Sequence, residues 1–494
     1  MAAILPMEIA DSTLFERRST WWLVGILVAL IFSTANVPWQ LDEYSQERQA
    51  LASFQMVKQG RWFYQQAPRT RREEREATKP PLVPWISAAT YAVTRSWNFA
   101  WRFPSAIAAM LLALALVRTA RKTFGIEASL LALSAFAFNT LTPRLATLAR
   151  TDVPLALIVF LLGAQILEKV RTNAPWTRRD RILACVLLTL AVFIKGPIVY
   201  AFLLPGIAAY RWLWSNGRTK NIWCGWWPWL ISLGLFLIWV IGGIVTQPDF
   251  YQQVVVHEFL GRFSRAEQDP HPLYYYVAHL LQKFAPWSEL LLLMSILYSM
   301  QDRQALRRAI QKLSPATWWL ICWSLAGLIV MSLVPSKRID RIFPVIPPFC
   351  LLVAAQYNSM KSRARWFVAA LLLSILLSFS YYGYGKIYRG FRDQRDSLAK
   401  FGKEVRSAAQ ANHWRYEVVT AHDGALLLYL DRTQFVDAER AIAMWNAGEV
   451  DALVIETIDL PQIHPRLRGA TLSNLRATEN IDEKQRSYVV LVRG

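Results

Sequence analysis

The chain repeats one kind of segment many times, an apolar block of about 15 to 20 residues between charged, proline-marked or tryptophan-rich connections. One helical crossing of a bilayer takes about 20 apolar residues, so these blocks predict a bundle of membrane-spanning helices. Hydrophobic residues make up 54% of the 494 positions and charged residues only 18%. This composition excludes an ordinary soluble enzyme, a disordered chain and a disulfide-stapled secreted domain. We predict eleven spans, at about 21–39, 99–117, 126–142, 153–168, 182–194, 197–213, 226–246, 287–301, 316–334, 342–357 and 366–384.

Basic residues are concentrated on alternate connections between these spans. With Arg17 and Arg18, one set carries 20 lysines and arginines, which predicts that this set is cytoplasmic. The opposite set then faces outward and includes two long loops, 40–98 and 247–286. The N-terminus is expected in the cytoplasm and the C-terminus outside, in a bacterial inner membrane. A membrane surface therefore accounts for the net charge of +20, and we expect no nucleic-acid partner.

Two further segments complete the predicted architecture, which is all-α in the membrane with a small α/β domain at the C-terminus. Pro84–Arg95, in the first long loop, is predicted as an interfacial helix. The apolar blocks stop after about residue 385, which divides the chain into a transmembrane domain, 1–385, and an extracytoplasmic domain, 386–494. Within the second domain we predict helices at Asp393–Ala411 and Glu439–Gly448 and strands at Glu417–Thr420, Ala452–Ile455 and Tyr488–Val492. A lid, an acceptor-docking module and a structural cap all remain open for it.

The residues most suited to chemistry lie almost entirely on the outward connections. Each has a simple interpretation, since acidic residues can be solvated, lysines can snorkel to water and Arg150 can pair with Asp152. Together they favour function, because charges near bilayer depth are costly. A carboxylate can accept a proton from a hydroxyl, and basic side chains can neutralise a phosphate. The candidates are Asp42, Glu43, Lys79, Arg150, Asp152, Lys195, His257, Arg262, His271, Tyr275, Lys337 and Arg341.

No nucleotide-binding fingerprint of the GxGxxG or GxxxxGK[ST] type occurs, which disfavours a soluble nucleotide-sugar donor. A site with both charge types at the outer leaflet instead indicates transfer from a lipid phosphate to a hydroxyl. The carboxylates show no fixed ligand spacing, so a divalent cation is left open and no cofactor is assigned.

The order of these motifs resembles the dolichyl-phosphate-mannose protein mannosyltransferase superfamily, and most closely its bacterial aminoarabinose transferases of lipid A. The resemblance covers about residues 15–385. Its motifs are Asp-Glu after the first span, Lys-Pro-Pro-Leu, Ala-Arg-x-Asp, Lys-Gly, Arg…His-Pro…Tyr-Tyr and Ser-Lys-Arg…Pro. It implies the C-type glycosyltransferase fold, with an extracytoplasmic active site. It also implies a polyprenyl-phosphate sugar as donor, a lipid, glycan or protein as acceptor, and inversion at the anomeric centre.

Roles for individual residues follow from the same resemblance. Asp42 is implied as the catalytic carboxylate with Glu43 beside it, and Asp152 as a second acidic group that shapes the site or holds a cation. Lys79 and Arg262 resemble ligands of the donor phosphate. Lys195 and Lys337 are implied as further basic contacts, and Arg341, which stands where many relatives have tyrosine, can also bind phosphate. Arg150, His257, His271 and Tyr275 complete the expected pocket.

Two other functions remain open at this point. A transporter of lipid-linked glycans also needs many spans and basic residues, but transporters usually place polar residues near the bilayer midplane in paired repeats. The polar motifs here lie at one face, and the sequence shows no repeat, which favours the enzyme. An assembly subunit that retains the fold without activity is the other alternative.

Overall fold

The computed structural model describes residues 17–41, 44–65, 79–213, 220–261, 271–301, 313–360, 364–481 and 484–494. Up to residue 382 the regular elements are helices: α1 (Arg18–Thr34), α2 (Tyr44–Gln59), α3 (Leu82–Thr94), α4 (Trp97–Ala100), α5 (Phe103–Phe124), α6 (Ile126–Ala137), α7 (Thr142–Ala146), α8 (Asp152–Thr172), α9 (Arg178–Lys195), α10 (Ile198–Leu213), α11 (Trp227–Thr246), α12 (Tyr275–Lys283), α13 (Trp287–Gln301), α14 (Pro315–Leu333), α15 (Ile346–Ser359) and α16 (Ala364–Tyr382). Wider π-type segments span Tyr251–Leu260 and Gly383–Tyr388, and 3₁₀ turns span Lys220–Ile222 and Ile339–Val345.

The described helices have the lengths and surfaces of a multi-pass membrane protein. Six of them are long and apolar enough to cross a bilayer, namely α5, α8, α11, α14, the rod Ile339–Ser359 and the rod Ala364–Arg392. Shorter apolar helices include α1, α3, α6 and α10. Large apolar side chains of α11 are exposed, among them Leu230, Ile238 and Val245. Such a surface is stable where lipid rather than water surrounds it.

Each predicted span overlaps a helix, although several boundaries differ, as the first and third spans illustrate. The first span, predicted to reach residue 39, ends at Thr34. The third, predicted as 126–142, is helical only to Ala137, and α7 follows as a separate short helix. Between them the Asn139 side chain accepts hydrogen bonds from two backbone N–H groups, those of residues 141 and 142, at 2.9 and 2.8 Å. This local capping replaces the helical hydrogen bonds at the break.

Close helix packing at the centre of the bundle depends on small residues. A Cβ atom added to Gly163 of α8 would lie 2.2 Å from the ring of Trp323 of α14. On the other side of that tryptophan, Gly206 of α10 meets its backbone, with a distance of 3.0 Å from an added Cβ to Cα. Glycine at both positions lets the three helices approach at backbone distance, which is a common arrangement in membrane bundles.

The C-terminal part forms a four-stranded sheet with helices on both faces. Its helices are α17 (Arg389–Arg392), α18 (Ser397–Ala411), α19 (Ala425–Tyr429), α20 (Ala438–Asn446) and α21 (Leu460–Ile463), with 3₁₀ turns at Thr457–Asp459 and His464–Arg466. Its strands are β1 (Tyr416–Val418), β2 (Ala452–Glu456), β3 (Ala470–Ile481) and β4 (Lys484–Arg493). The order is β1-β2-β4-β3, in which only the β1–β2 pair is parallel.

The sequence predicted most of these elements with shifted ends and missed one strand. The first helix begins at Ser397 rather than Asp393, and the first strand ends at Val418 rather than Thr420. The strand β3 was not predicted, because its residues are mainly polar and lack a regular apolar alternation. It is an edge strand whose backbone is ordered by pairing with β4.

This C-terminal part packs directly against the first long loop. One buried apolar cluster includes Leu51 and Phe54 of α2 together with Phe401 of α18 and Leu426 of α19. Across the same contact, the Lys58 ammonium lies 2.9 Å from the Asp431 carboxylate. The sheet is therefore attached to the segment that directly follows the first helix α1, and this contact connects it to the site described below.

An acid-sensitive ion pair stabilises the edge of this sheet. The Arg415 guanidinium and backbone N–H donate to Asp451 at 2.9 Å and lower the pKa of that carboxyl from 3.8 to about 2. Because the folded pKa is below the unfolded one, the stabilisation is present above about pH 4 and is lost as the pH falls toward 2. We expect Asp451→Asn to remove this part of the acid dependence, measured as apparent melting temperature against pH. Equal acid dependence in the variant and the wild type would contradict this assignment.

Candidate active site

The second predicted outward turn ends in a buried ion pair at the start of α8. Asp152 is the first residue of that helix, where a negative charge is favoured by the unpaired backbone N–H groups. Its Oδ2 atom accepts a hydrogen bond from Nε of Arg150 at 2.9 Å, and the two side chains are 2% and 7% exposed. The mutual pair that the sequence left open is therefore present, and it is shielded from water.

The third predicted outward turn contributes a second cation to the same carboxylate. Lys195 is the last residue of α9, where a positive charge is favoured, and its ammonium donates to Oδ1 of Asp152. Both oxygens of Asp152 thus have a cationic partner. Lys195 also interacts electrostatically with Asp340, although the two residues belong to different elements.

Asp340 links this cluster to the fifth predicted outward connection. Its carboxylate accepts from the Arg150 guanidinium and, at 3.3 Å, from Nε of Arg338. The five residues Arg150, Asp152, Lys195, Arg338 and Asp340 form what we call the ion-pair network. It brings together three connections that are far apart in the sequence and contains three cations and two carboxylates among the residues described.

Lys79 is a further basic residue near this network. It directly precedes the turn into α3, is half-buried, and interacts electrostatically with the Asp152 carboxylate. Among the described residues, four cations therefore accompany two carboxylates. An excess of positive charge favours an anionic ligand such as a phosphate.

Lys337 and Arg341 lie beside the network and bind backbone groups. The Lys337 ammonium donates to the carbonyl of His271 at 2.9 Å, and burial lowers its pKa. The Arg341 guanidinium donates to the carbonyl and hydroxyl of Ser336 at 2.6 and 2.7 Å. These contacts join the Ser-Lys-Arg segment to the segment that begins at His271.

Aromatic residues support that second segment. The ring of Tyr275 stacks on His271 at a centroid distance of 4.5 Å and lies 4.0 Å from the ring of His279. The neighbouring Tyr276 is buried, and its hydroxyl accepts from the backbone N–H of Arg338 at 3.3 Å. The predicted residues His271 and Tyr275 therefore belong to the same segment as Tyr276, which contacts Arg338 of the ion-pair network.

The beginning of the first long loop is held between the second turn and the C-terminal sheet. Leu41 is buried, and its backbone N–H donates to the hydroxyl of Tyr429 at 2.9 Å. On the other side, the Gln46 side chain accepts from the N–H of Ala149 at 3.3 Å, immediately before Arg150. The segment that carries the predicted Asp-Glu pair is therefore attached both to the turn before α8 and to the C-terminal sheet domain.

The side chains of four predicted site residues are not among those that the structure describes. Asp42, Glu43 and Arg262 lie outside the described residues. The backbone of His257 belongs to the helical segment Tyr251–Leu260, but its side chain is not among those that the structure describes. Their roles stay predictions.

Sequence reasoning missed several residues that shape this region. Asp340 lies inside the Ser-Lys-Arg…Pro motif. An acidic residue between two arginines was the sequence signal that could have identified it. Glu47 accepts from the N–H of Gly424 at 3.0 Å, and Tyr429 holds Leu41. These contacts join positions more than 370 residues apart, for which the local sequence has no signal.

A metal site is not formed by the part of the chain that the structure describes. No group of three or more histidine, cysteine, aspartate or glutamate side chains with suitable spacing occurs there. Asp152 in particular directs both oxygens at cationic side chains. Of its two implied roles, this geometry fits shaping the site rather than holding a cation.

A many-spanning helical bundle with buried charges at its helix ends, next to a small sheet domain, is the architecture of the C-type glycosyltransferases. A crystal structure of ArnT from Cupriavidus metallidurans bound to undecaprenyl phosphate has the same fold, with a TM-score of 0.68. The two proteins are 17% identical, and the match covers 96% of this chain and 98% of that one. The predicted fold class is confirmed.

The chain is similar in sequence to known transferases over part of its length. Residues 78–244 match the family described as dolichyl-phosphate-mannose-protein mannosyltransferase. The undecaprenyl phosphate-alpha-4-amino-4-deoxy-L-arabinose arabinosyl transferase of Shewanella sediminis is 25% identical over 333 residues, covering 66% of this chain and 57% of that protein. Arabinosyl transferase 1 of Sodalis glossinidius is 28% identical over 365 residues, covering 71% and 61%. The chain is thus similar to that mannosyltransferase family over residues 78–244, and to the aminoarabinose transferases over 66–71% of its length. It spans about three fifths of the length of these curated relatives.

Proposed function

We propose that this protein is an integral-membrane glycosyltransferase that moves a sugar from a polyprenyl phosphate to an extracytoplasmic acceptor. The acceptor is a lipid A-like lipid, a glycan or a protein, and the acceptor atom is a hydroxyl or phosphate oxygen. The observation that carries the proposal is the ion-pair network, in which Arg150, Asp152, Lys195 and Asp340 have nearly buried side chains. The start of the first loop contacts the residue before Arg150. Its fold and its similarity to the arabinosyl transferases support the same reaction class.

The proposed reaction is a single displacement at the anomeric carbon. The acceptor oxygen forms a bond to that carbon as the bond from the carbon to the phosphate oxygen breaks, and the polyprenyl phosphate leaves with the electron pair. Asp42 takes the proton of a hydroxyl acceptor. Attack from the face opposite the leaving group inverts the anomeric configuration. General-base catalysis of this kind contributes about 10²- to 10⁴-fold to a rate.

The basic residues have a separate task in this proposal. The leaving phosphate gains negative charge, and cationic donors already held in position stabilise it without reorganisation. Lys79 and Lys195 are the described candidates closest to Asp152. Lys337, Arg341 and the undescribed Arg262 are the further candidates, and Arg150, His257, His271 and Tyr275 complete the proposed pocket.

The proposed orientation places this chemistry outside a bacterial inner membrane. The basic connections are cytoplasmic, the N-terminus is cytoplasmic, and the sheet domain, residues 386–494, is extracytoplasmic with the active site. The packing of α2 against α18 and α19 supports placing the site and the sheet on the same side. A protease that acts only from outside the membrane tests this orientation by cleaving the sheet domain in intact spheroplasts.

The experiment that tests the function is transfer of radiolabelled sugar from a panel of polyprenyl-phosphate donors by the purified protein. An acceptor-containing membrane extract is supplied. Consumption of one donor with label in the acceptor supports the proposal and identifies the sugar. If every donor is left intact while labelled lipid crosses the bilayer of reconstituted vesicles, the protein is a transporter instead. If neither occurs, the assembly-subunit alternative gains support.

A prediction for the donor site concerns Lys79. Replacing it by alanine removes a charge-assisted contact and is expected to raise the donor Kd by about ten- to a hundredfold. Equilibrium binding of a fluorescent polyprenyl phosphate measures this, and Arg262→Ala is expected to behave alike. The matched control is Lys58→Ala, because Lys58 pairs with Asp431 at the sheet. Equal affinity of the Lys79→Ala and Lys58→Ala proteins would remove Lys79 from the donor site.

A further inference from the structure

The end of the short helix α19 is held in place inside the C-terminal domain. A Cβ atom added to Gly402 of α18 would lie 2.5 Å from Cβ of Tyr429 and 2.7 Å from its carbonyl oxygen, so only glycine lets the two helices meet there. The next residue, Leu430, is buried, and its carbonyl accepts from the hydroxyl of Tyr416 on β1 at 2.6 Å. The helix α18 and the sheet thus hold the backbone of Tyr429 from two sides.

From this position the Tyr429 side chain reaches the transmembrane part of the chain. Its hydroxyl accepts from the backbone N–H of Leu41 at 2.9 Å, although the two residues are 388 positions apart. Leu41 is 1% exposed and belongs to the apolar cluster that α2 shares with α18 and α19. A buried backbone N–H is costly to leave without an acceptor, so this hydrogen bond fixes the start of the first long loop.

A second contact to the same domain lies a few residues further along the loop. Glu47, in the first turn of α2, is 3% exposed, and its carboxylate accepts from the backbone N–H of Gly424 at 3.0 Å. The adjacent Gln46 side chain accepts instead from the N–H of Ala149, the residue before Arg150 of the ion-pair network. The first turn of α2 is therefore bound to the sheet domain and to the turn before α8 at the same time.

These two contacts enclose the position of the proposed base in the sequence. Asp42 directly follows Leu41 and precedes Glu47. A general base must lie within hydrogen-bond reach of the proton that it takes, and a misplacement of about 1 Å can lower a rate about a hundredfold. A hydrogen bond that fixes the neighbouring backbone can therefore determine the rate of the reaction without touching the substrate.

We propose that Tyr429 of the C-terminal domain is a positioning residue for the Asp42 carboxylate. Its hydroxyl acts through the backbone N–H of Leu41, and the contact of Glu47 with Gly424 holds the following helix against the same domain. The C-terminal domain is then required for turnover although it supplies no reacting group. This inference rests on the proposed transferase function, and it extends that function to a residue outside the transmembrane domain.

The test is Tyr429→Phe in the full-length protein, which removes the hydroxyl and keeps the packed ring. The kcat of sugar transfer is expected to fall about ten- to a hundredfold, while the KM values for donor and acceptor stay near wild type. The matched control is Tyr416→Phe, which removes the hydrogen bond to Leu430 and weakens the same domain without touching the loop. It is expected to keep kcat within about twofold of wild type. An equal loss of kcat in both variants would overturn the positioning role.

A double variant shows whether Tyr429 acts through Asp42 or through some other part of the site. The Asp42→Asn protein has no base to misplace, so adding Tyr429→Phe to it is expected to leave the residual kcat unchanged within about twofold. A purely structural role would lower the residual kcat by the same factor as in the wild-type background. A further fall of that size would therefore contradict the proposal.

Hydrogen exchange distinguishes failure of this inference from failure of the proposed function, because it requires no turnover. Backbone amides of residues 40–47 are expected to exchange faster in Tyr429→Phe than in wild type or Tyr416→Phe, as measured by mass spectrometry. If no donor is consumed but this difference is present, the transferase proposal fails while Tyr429 still fixes the loop. If transfer occurs and Tyr429→Phe leaves kcat unchanged, this inference is wrong and the proposed function stands.

Discussion

Asp42→Asn is expected to lower the turnover of sugar transfer by about 10²- to 10⁴-fold, the usual contribution of a general base. Asparagine has nearly the same size as aspartate but cannot accept the proton of the attacking hydroxyl. Donor binding is expected to remain near wild type, because the proposed phosphate contacts are basic side chains elsewhere. Single-turnover measurements with labelled donor, together with equilibrium donor binding, separate the two effects.

The neighbouring carboxylate supplies the matched control for this experiment. Glu43→Gln removes the same charge one position later, and it is expected to leave most of the turnover. If Glu43→Gln is inactive and Asp42→Asn is active, the base is Glu43 and the assignment from motif order is wrong. Retained turnover in both variants would remove general-base catalysis by this acidic pair from the mechanism.

Asp152→Ala is expected to destabilise the fold by about 3–5 kcal/mol, because breaking a buried ion pair leaves uncompensated charge. The Asp152 carboxylate is the partner of both Arg150 and Lys195, and all three side chains are buried or nearly so. The expected result is a large fall in the apparent melting temperature of the purified protein in detergent. Activity is expected to fall as well, since the network supports the proposed active site.

A double-mutant cycle distinguishes the loss of the ion pairs from a general loss of side-chain packing. Combining Asp152→Ala with Lys195→Met removes one of the two orphaned cations, so the double variant is expected to be more stable than the sum of the single effects, by about 0.5–3 kcal/mol. The control is Glu439→Ala, which breaks an exposed pair with Arg466 and is expected to change the melting temperature little. Additive effects of the two buried substitutions would show that Asp152 and Lys195 are not coupled.

The C-terminal sheet domain holds the start of the first long loop in place. Tyr429 binds the backbone of Leu41, and Glu47 binds that of Gly424. Both contacts are made by the segment that carries Asp42, so the domain is in a position to orient the proposed base. Of the roles left open by the sequence, this geometry is most consistent with a structural cap that supports the loop.

The helices and the location of candidate chemistry were readable from the sequence because their causes are local. An apolar block in a bilayer must satisfy its own backbone hydrogen bonds and therefore forms a helix. Even α9, the block with the most charges, begins with a local signal, since Thr177 and Asp180 cap each other's backbone. Charged motifs were likewise recognisable, because charged side chains near bilayer depth are costly and therefore rare.

Only the tertiary structure decided how those charges pair and what the C-terminal part contacts. Arg150 and Asp340 are 190 positions apart, and no local pattern predicts that their side chains meet. The polar strand β3 is ordered by its long-range pairing with β4, and Leu41 is held by a tyrosine 388 positions away. Hydropathy and periodicity indicate whether a segment faces lipid, water or the protein interior. The partners within a buried polar network depend instead on how the whole chain packs.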